Sequence, residues 1–121
     1  MNLSRFLQSF RFAYRGLRHA VLNEQNFKIK ILAGILVLAL MYIFELIFIE
    51  RVILITFIFL VLSFELLNTA IEHFTDLVES KFNKKVKVVK DLMAAVVLTI
   101  SIGAAIVGIM IFYPYIIEQL S

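Results

Sequence analysis

Three polar residues within a long apolar segment have the types and spacing expected of a reactive site. Glu65, Asn68 and Glu72 occupy positions i, i+3 and i+7 in the segment that runs from Val52 to Glu72. At about 100° per residue on a helix, their side chains point along one stripe, and Asp76 falls on the same stripe. Because a carboxylate near hydrocarbon is costly, acidic residues in such segments usually mark an ion, proton or substrate site.

The composition identifies the chain as a membrane protein. Of its 121 residues, 62% are hydrophobic, far more than a soluble domain of this size needs for its core. Apolar segments near the roughly 20 residues that cross a bilayer predict three spanning helices, at about residues 29–49, 52–76 and 91–117. We therefore expect an all-α integral membrane protein forming a single membrane domain over residues 1–121.

Residues 3–23 predict an amphipathic helix that precedes the spans. Apolar side chains recur there at spacings of four and three, and arginines occupy another side. Such a helix lies in the membrane interface with its cations near lipid phosphates, or it packs as a surface helix on the protein's own spans. The two interpretations are compatible. The apolar positions are Leu3, Leu7, Phe10, Tyr14, Leu17 and Val21, and the basic ones are Arg11, Arg15 and Arg18.

The distribution of basic residues predicts the topology. They concentrate before the first span and in the connection 77–90, whereas the short link between the first two spans holds only Arg51. Since cytoplasmic segments are enriched in Lys and Arg, the N-terminus and the 77–90 loop are expected in the cytoplasm. In the third span, Ser101, Ala105 and Gly108 would let another helix approach closely, and Pro114 is expected to end the helix.

The histidines and the missing cysteines limit the metal chemistry. The chain has no cysteine, which excludes disulfides and thiolate sites. His19 and His73 lie in separate segments at the edges of the spans. Each is better explained as an interfacial polar residue than as a metal ligand, because a histidine site normally needs a second nitrogen or sulfur ligand nearby.

Polar groups gather at one predicted membrane boundary. Glu24 ends the interfacial helix, the stripe reaches Asp76 on the second span, and Lys90 and Asp91 open the third. Carboxylates suit Mg²⁺, which also takes phosphate oxygens and water, and the loop lysines can hold phosphates. No phosphate-binding glycine loop is present. Phosphoryl transfer needs only positioning, charge neutralisation and a residue that takes the proton, and spacing does not decide whether Glu65 or Glu72 is that base.

The same residues also fit roles without any chemistry, and the pattern alone does not decide between the two. Glu65 and Asn68 can be hydrogen-bonding glue between helices, Glu72 and Asp76 can be solvated at a helix end, and the lysines can bind anionic headgroups. A functional stripe, in turn, serves either an enzyme or an ion or proton pathway. A third hypothesis is a purely structural assembly protein.

A family resemblance narrows these alternatives. The run from Glu65 to Asp76, ELLNTAIEHFTD, is followed by Lys90-Asp91 and preceded by Gly16-Leu-Arg18 and by Asn23-Glu24 with Phe27. This pattern resembles the bacterial diacylglycerol kinase and undecaprenol kinase family over about residues 5–115. The resemblance implies a lipid kinase of the bacterial cytoplasmic membrane that moves the γ-phosphoryl group of Mg-ATP to a lipid alcohol, working as a homotrimer with sites shared between subunits. The residues of these motifs are more similar to those of the undecaprenol kinase branch. No nucleic acid partner is expected.

The resemblance also implies a role for individual residues. Glu65 would be the general base, Asn68 would orient the reacting groups, and Glu24 and Glu72 would bind Mg²⁺. The lipid would enter near Arg18 and Phe27 and meet Glu65. The residues implied to contact ATP are Arg5, Phe12, Glu24, Glu72, Lys81, Phe82, Asn83, Lys90 and Asp91. Phe12, Asn83 and Lys30 depart from the diacylglycerol branch, which carries a tyrosine, a histidine and an acid at those positions.

Overall fold

Four helices build the described part of the chain. The structure, a computed structural model, describes residues 2–78 and 84–121. Within these ranges the chain forms α1 (Leu3–Asn23), α2 (Gln25–Ile43), α3 (Phe48–Val78) and α4 (Lys84–Leu120), with no strand. The helices α2, α3 and α4 are long and apolar enough to cross a membrane. The prediction of an all-α membrane protein with three spans and an N-terminal amphipathic helix is confirmed.

Helix α1 projects from the rest of the chain. Asn2 caps it by accepting hydrogen bonds from the backbone N–H groups of Ser4 and Arg5, at 3.0 and 3.4 Å. Every residue from Asn2 to His19 is exposed, and Ala20 is the first buried one. The interpretation in which α1 packs on the protein's own spans is therefore wrong over this range. Its apolar face is left for lipid or for another protein surface.

The first span ends earlier than predicted. Helix α2 stops at Ile43, and α3 begins at Phe48, so the predicted range 29–49 includes a turn. The turn is not visible in the sequence because its residues are apolar except for Glu45. Its second half is held by Glu50, whose Oε1 accepts the backbone N–H of Ile47 at 3.1 Å, as at the start of a capped helix.

The second and third spans extend beyond their predicted limits. Residues 77, 78 and 84–90 of the predicted loop 77–90 are helical, and residues 79–83 lie outside the described part. The segment 84–90 contains only lysine and valine, with no glycine or proline to stop α4. The expectation that Pro114 ends the third span is also wrong, because α4 continues through it to Leu120. A proline removes one helical hydrogen bond, and the following turns still form.

Helix α3 is the central element of the bundle, since it packs against both α2 and α4. At the end near the α2–α3 turn, an apolar cluster of Leu46, Leu54 and Phe112 closes the bundle. Farther along, a Cβ added at Gly34 would lie 3.3 Å from Ile58 Cγ2, so this glycine lets α2 and α3 approach closely. The stripe residues of α3, from Glu65 to Asp76, lie beyond Gly34 and Ile58, away from the apolar cluster.

Candidate active site

The stripe on α3 passes from a buried region to an exposed one. Counted from Arg51 at 1.5 Å per residue, Glu65 lies about 21 Å and Glu72 about 31 Å along the helix axis. A hydrocarbon layer of about 30 Å would therefore contain Glu65 and end near Glu72. Burial by the protein itself also changes along the stripe: Glu65 is 2% exposed and Asn68 8%, whereas Glu72 and Asp76 are exposed. One helix thus presents a buried carboxylate and amide beside exposed carboxylates.

No other described helix hydrogen-bonds the buried pair. The Glu65 carboxylate and the Asn68 amide make no side-chain hydrogen bond to α1, α2 or α4 in residues 2–78 and 84–121. Interhelical glue within one subunit therefore does not explain them. Two buried threonines, which spacing alone does not single out, bond along α3 itself. Thr69 Oγ1 donates to the Glu65 carbonyl at 3.1 Å and Thr75 Oγ1 to the Glu72 carbonyl at 3.0 Å, which satisfies both hydroxyls locally.

Glu24 stands at the corner between α1 and α2. It is a single extended residue, with φ −106° and ψ 110°, that serves as the C-cap of α1 and the N-cap of α2. Its N–H donates to the Ala20 carbonyl at 3.0 Å, and its carbonyl accepts from the Lys28 N–H at 3.1 Å. Both hydrogen bonds fix the backbone of Glu24. The side chain of Glu24 therefore starts from a defined position at the corner between α1 and α2.

Two histidines lie against the Glu24 carboxylate. Glu24 Oε1 is 3.3 Å from His73 Nε2 and 3.7 Å from His19 Nε2, and the two rings meet edge to face at 5.4 Å between centroids. The sequence places these histidines in separate segments, and the fold brings them together. Because His73 follows Glu72, this contact also brings Glu24 and Glu72 to the same end of the bundle.

Charged pairs from α3 and α4 complete this end, which we call the polar end. Lys90 Nζ donates to Asp76 Oδ1 at 2.7 Å and so links the two helices, and Lys87 Nζ donates to Asp91 Oδ2 at 3.0 Å within α4. The predicted nucleotide contacts Lys90 and Asp91 therefore belong to the same end as the stripe. The remaining predicted loop contacts, Lys81, Phe82 and Asn83, lie outside the described residues.

The predicted contacts on α1 lie far from this end in a single subunit. Arg5 precedes Glu24 by 19 residues and Phe12 by 12, which corresponds to about 28 and 18 Å along a helix. Phe12 is exposed, and the guanidinium of Arg15 lies over its ring at 5.8 Å from the centroid. Arg18 is exposed as well. The structure does not bring Arg5 or Phe12 to the Glu24 of the same chain.

Two features concern contact with lipid. Phe27, predicted to touch the lipid, is 2% exposed and is therefore packed inside the protein.

A cavity of about 350 Å³ opens between α2, α3 and α4 and is lined almost entirely by apolar side chains. Its polar groups are Lys30 and Ser101, joined by a hydrogen bond from Lys30 Nζ to Ser101 Oγ at 2.9 Å. The amine is thereby satisfied next to apolar surface.

Comparison with known proteins identifies the family. The sequence model of the prokaryotic diacylglycerol kinases matches residues 11–112. The chain is 38% identical over 112 residues to an undecaprenol kinase of Bacillus subtilis, covering 93% of this chain and 91% of that protein. It is 36% identical over 109 residues to a diacylglycerol kinase of Synechocystis, covering 89% and 62%. It is 30% identical over 112 residues to a diacylglycerol kinase of Escherichia coli, covering 93% and 92%. The chain therefore belongs to the prokaryotic diacylglycerol kinase family, a family of lipid kinases.

Proposed function

We propose that this protein transfers the γ-phosphoryl group of Mg-ATP to the hydroxyl of a membrane lipid alcohol, either undecaprenol or diacylglycerol. The observation that carries the proposal is the change in burial along α3. A carboxylate and an amide are buried at Glu65 and Asn68, and the exposed carboxylate of Glu72 follows about 10 Å farther along the helix axis. In the proposal, the buried pair meets the lipid hydroxyl, and the exposed region at Glu72 meets the nucleotide from water.

Glu65 acts as the general base in this proposal. Its carboxylate lies about 2.6–3.2 Å from the lipid hydroxyl oxygen and accepts the hydroxyl proton. That oxygen bonds to the γ-phosphorus while the bond from the γ-phosphorus to the β–γ bridging oxygen breaks, and ADP leaves. No other described helix forms a side-chain hydrogen bond with this carboxylate, so no such bond has to break when the substrate hydroxyl approaches. Asn68, one turn away, orients the reacting groups through its amide.

Glu24 and Glu72 are the proposed ligands of Mg²⁺. The donor set fits this ion, because Mg²⁺ prefers one or two carboxylates and completes its octahedral shell with phosphate oxygens and water. Both side chains are accessible at the polar end, where Glu24 is 26% exposed and Glu72 is exposed. When bound, the ion would neutralise charge on the β- and γ-phosphates. Lys90 contributes a positive charge to phosphate binding. Its ammonium group would then contact a phosphate as well as Asp76.

The proposed assembly is a homotrimer with sites shared between subunits. Arg5 lies about 28 Å from the Glu24 of its own chain along α1, farther than one nucleotide extends. If Arg5 binds ATP, another copy must supply it. Two further observations favour association: α1 is uncovered up to His19, and a Cβ added at Gly103 or Gly108 of α4 would meet nothing within 4 Å. Small open positions of this kind suit close helix packing in membranes.

We place the protein in the bacterial cytoplasmic membrane with its polar end in the cytoplasm. The basic residues near the first span and at the start of α4 favour this orientation, and ATP is available on that side. The ion or proton pathway hypothesis is weakened by the apolar cluster of Leu46, Leu54 and Phe112. That cluster closes the end opposite the stripe, where a pathway would have to continue.

A competition assay tests the proposed function. Purified protein in lipid nanodiscs receives [γ-³²P]ATP, Mg²⁺ and equal amounts of undecaprenol and diacylglycerol, and the products are identified by mass. One phosphorylated lipid that depends on both ATP and Mg²⁺ is expected. No phosphorylated lipid of either class would overturn the proposal. The roles of the metal ligands are tested by Glu24→Gln and Glu72→Gln, which should each raise the Mg²⁺ concentration needed for half-maximal rate. Glu118→Gln is the control, since this carboxylate lies on an exposed part of α4.

A further inference from the structure

We propose that His19, Glu24 and His73 form a binding site for a borderline transition-metal ion such as Zn²⁺, and that zinc bound there inhibits the enzyme. The site includes the Glu24 carboxylate. The inhibition therefore rests on the proposed function of Glu24 as a magnesium ligand, whereas the binding of zinc does not.

The first argument is the ligand set. Two imidazoles and one carboxylate are a combination that binds Zn²⁺ with an open position for water. Imidazole nitrogen suits zinc, copper and nickel, whereas Mg²⁺ selects oxygen ligands. The histidines therefore add to Glu24 a chemistry that a magnesium site does not use.

The second argument is the distance between ligand atoms. In a tetrahedral site with metal–ligand bonds of 2.0–2.1 Å, neighbouring ligand atoms lie about 3.3–3.4 Å apart. Here Glu24 Oε1 is 3.3 Å from His73 Nε2 and 3.7 Å from His19 Nε2. One ligand atom from each of the three residues lies within 4.8 Å of the others. Small rotations of the side chains are enough to place the three atoms around one ion.

The third argument is that independent structural elements converge on the site. His19 lies in the last turns of α1, Glu24 is the fixed corner residue, and His73 lies on α3. The side chains of His19 and His73 are 50% and 58% exposed, so an ion from water can reach both. The histidines are 54 residues apart in the sequence, and the fold brings their rings together where the last turns of α1 meet the end of α3.

Asn23 supports His19 from the other side of its ring. Asn23 Nδ2 lies 3.3 Å from His19 Nδ1 and donates to the His19 carbonyl at 3.1 Å. When zinc binds Nε2 of a neutral imidazole, the ring proton is on Nδ1, and the Asn23 amide can then turn so that its oxygen accepts this proton. A partner of this type orients metal-binding histidines.

Occupancy of this site withdraws Glu24 from magnesium. A carboxylate that coordinates zinc together with two imidazoles is not available to an ion between Glu24 and Glu72. Zinc should therefore raise the Mg²⁺ concentration needed for activity, and excess Mg²⁺ should relieve the inhibition. Because Mg²⁺ does not favour imidazole, it competes only through the carboxylate.

The binding experiment uses the full chain in detergent micelles, purified without a polyhistidine tag because such a tag would bind the metal. Calorimetry with Zn²⁺, and visible absorption with Co²⁺ as a spectroscopic substitute, should show one ion per chain. His19→Gln and His73→Gln should each weaken zinc binding by about tenfold or more, and Glu118→Gln should not change it. The helical circular dichroism signal of each variant verifies the fold. No binding by the unsubstituted protein, or equal affinity in the doubly substituted protein, overturns the site.

The kinetic experiment separates the site from its consequence. Initial rates are measured with and without Zn²⁺ over a range of Mg²⁺ concentrations, and each protein is compared with its own rate without zinc. In the unsubstituted protein, zinc should inhibit competitively with Mg²⁺. In the protein that carries both His19→Gln and His73→Gln, zinc should have little effect on the initial rate. Histidine-dependent binding without inhibition would support the zinc site and contradict the assignment of Glu24 as a magnesium ligand.

Discussion

Replacing Glu65 with glutamine should abolish most phosphoryl transfer and leave the helix bundle intact. Loss of a general base typically costs about 10²- to 10⁴-fold in rate. At about 1.36 kcal/mol per factor of ten, this corresponds to about 2.7–5.4 kcal/mol of transition-state stabilisation. Glutamine has nearly the same volume as glutamate, so the substitution leaves no cavity at a site that is 2% exposed.

The same substitution should not lower stability. No described residue forms an ion pair or a side-chain hydrogen bond with the Glu65 carboxylate, so no such interaction is lost. Burying a neutral amide also costs less free energy than burying a charged carboxylate. The thermal midpoint in detergent, followed by the helical circular dichroism signal, should therefore be equal to or above that of the unsubstituted protein.

The assay must separate the base from the metal site. Initial rates with [γ-³²P]ATP in mixed micelles should show a lower kcat, with the KM for Mg-ATP within about twofold because Glu24 and Glu72 are intact. Glu118→Gln makes the same chemical change at an exposed position and should keep full activity. A folded Glu65→Gln protein with more than about a tenth of the normal kcat would refute the role of Glu65 as base.

Further predictions concern the phosphate contact and the packing of the bundle. Lys90→Ala should raise the KM for ATP by about tenfold or more with little change in kcat, as expected for loss of a charge-assisted hydrogen bond to phosphate; an unchanged KM would contradict that role. Gly34→Leu should destabilise the bundle by about 1–3 kcal/mol through overpacking against Ile58, measured by thermal or denaturant unfolding beside a mild Gly34→Ala control. Tyr115→Phe should lower the thermal midpoint, because it removes the hydrogen bond that Tyr115 donates to Glu50, without changing lipid kinase rates.

The helices can be predicted from the sequence because hydropathy and periodicity are local properties. The residues at which the helices begin and end are harder to predict. The turn after Ile43 escapes prediction because its residues are as apolar as the spans they connect. The segment that begins at Lys84 resembles a loop because its charges suggest solvent, although lysine is a good helix former. Pro114 suggests a helix end, although a long helix tolerates the loss of one hydrogen bond.

The candidate site can be predicted only in part. Periodicity correctly places Glu65 and Asn68 on one helix, where both are buried. The contact of His19 and His73 with Glu24 cannot be predicted, because it depends on how α1 leaves the bundle at a break of one residue that no glycine or proline marks. A long-range contact of this kind has no signature in the spacing of residues.

The single-residue connection at Glu24 fixes the rotation of α1 relative to α2. A single non-helical residue separates two helices, and both of its backbone groups are engaged, so the phase of one helix is transmitted to the other. Inserting one residue there would rotate α1 by about 100° about its axis and shift it by about 1.5 Å. An insertion at this connection would therefore turn the arginine face of α1 toward a different environment.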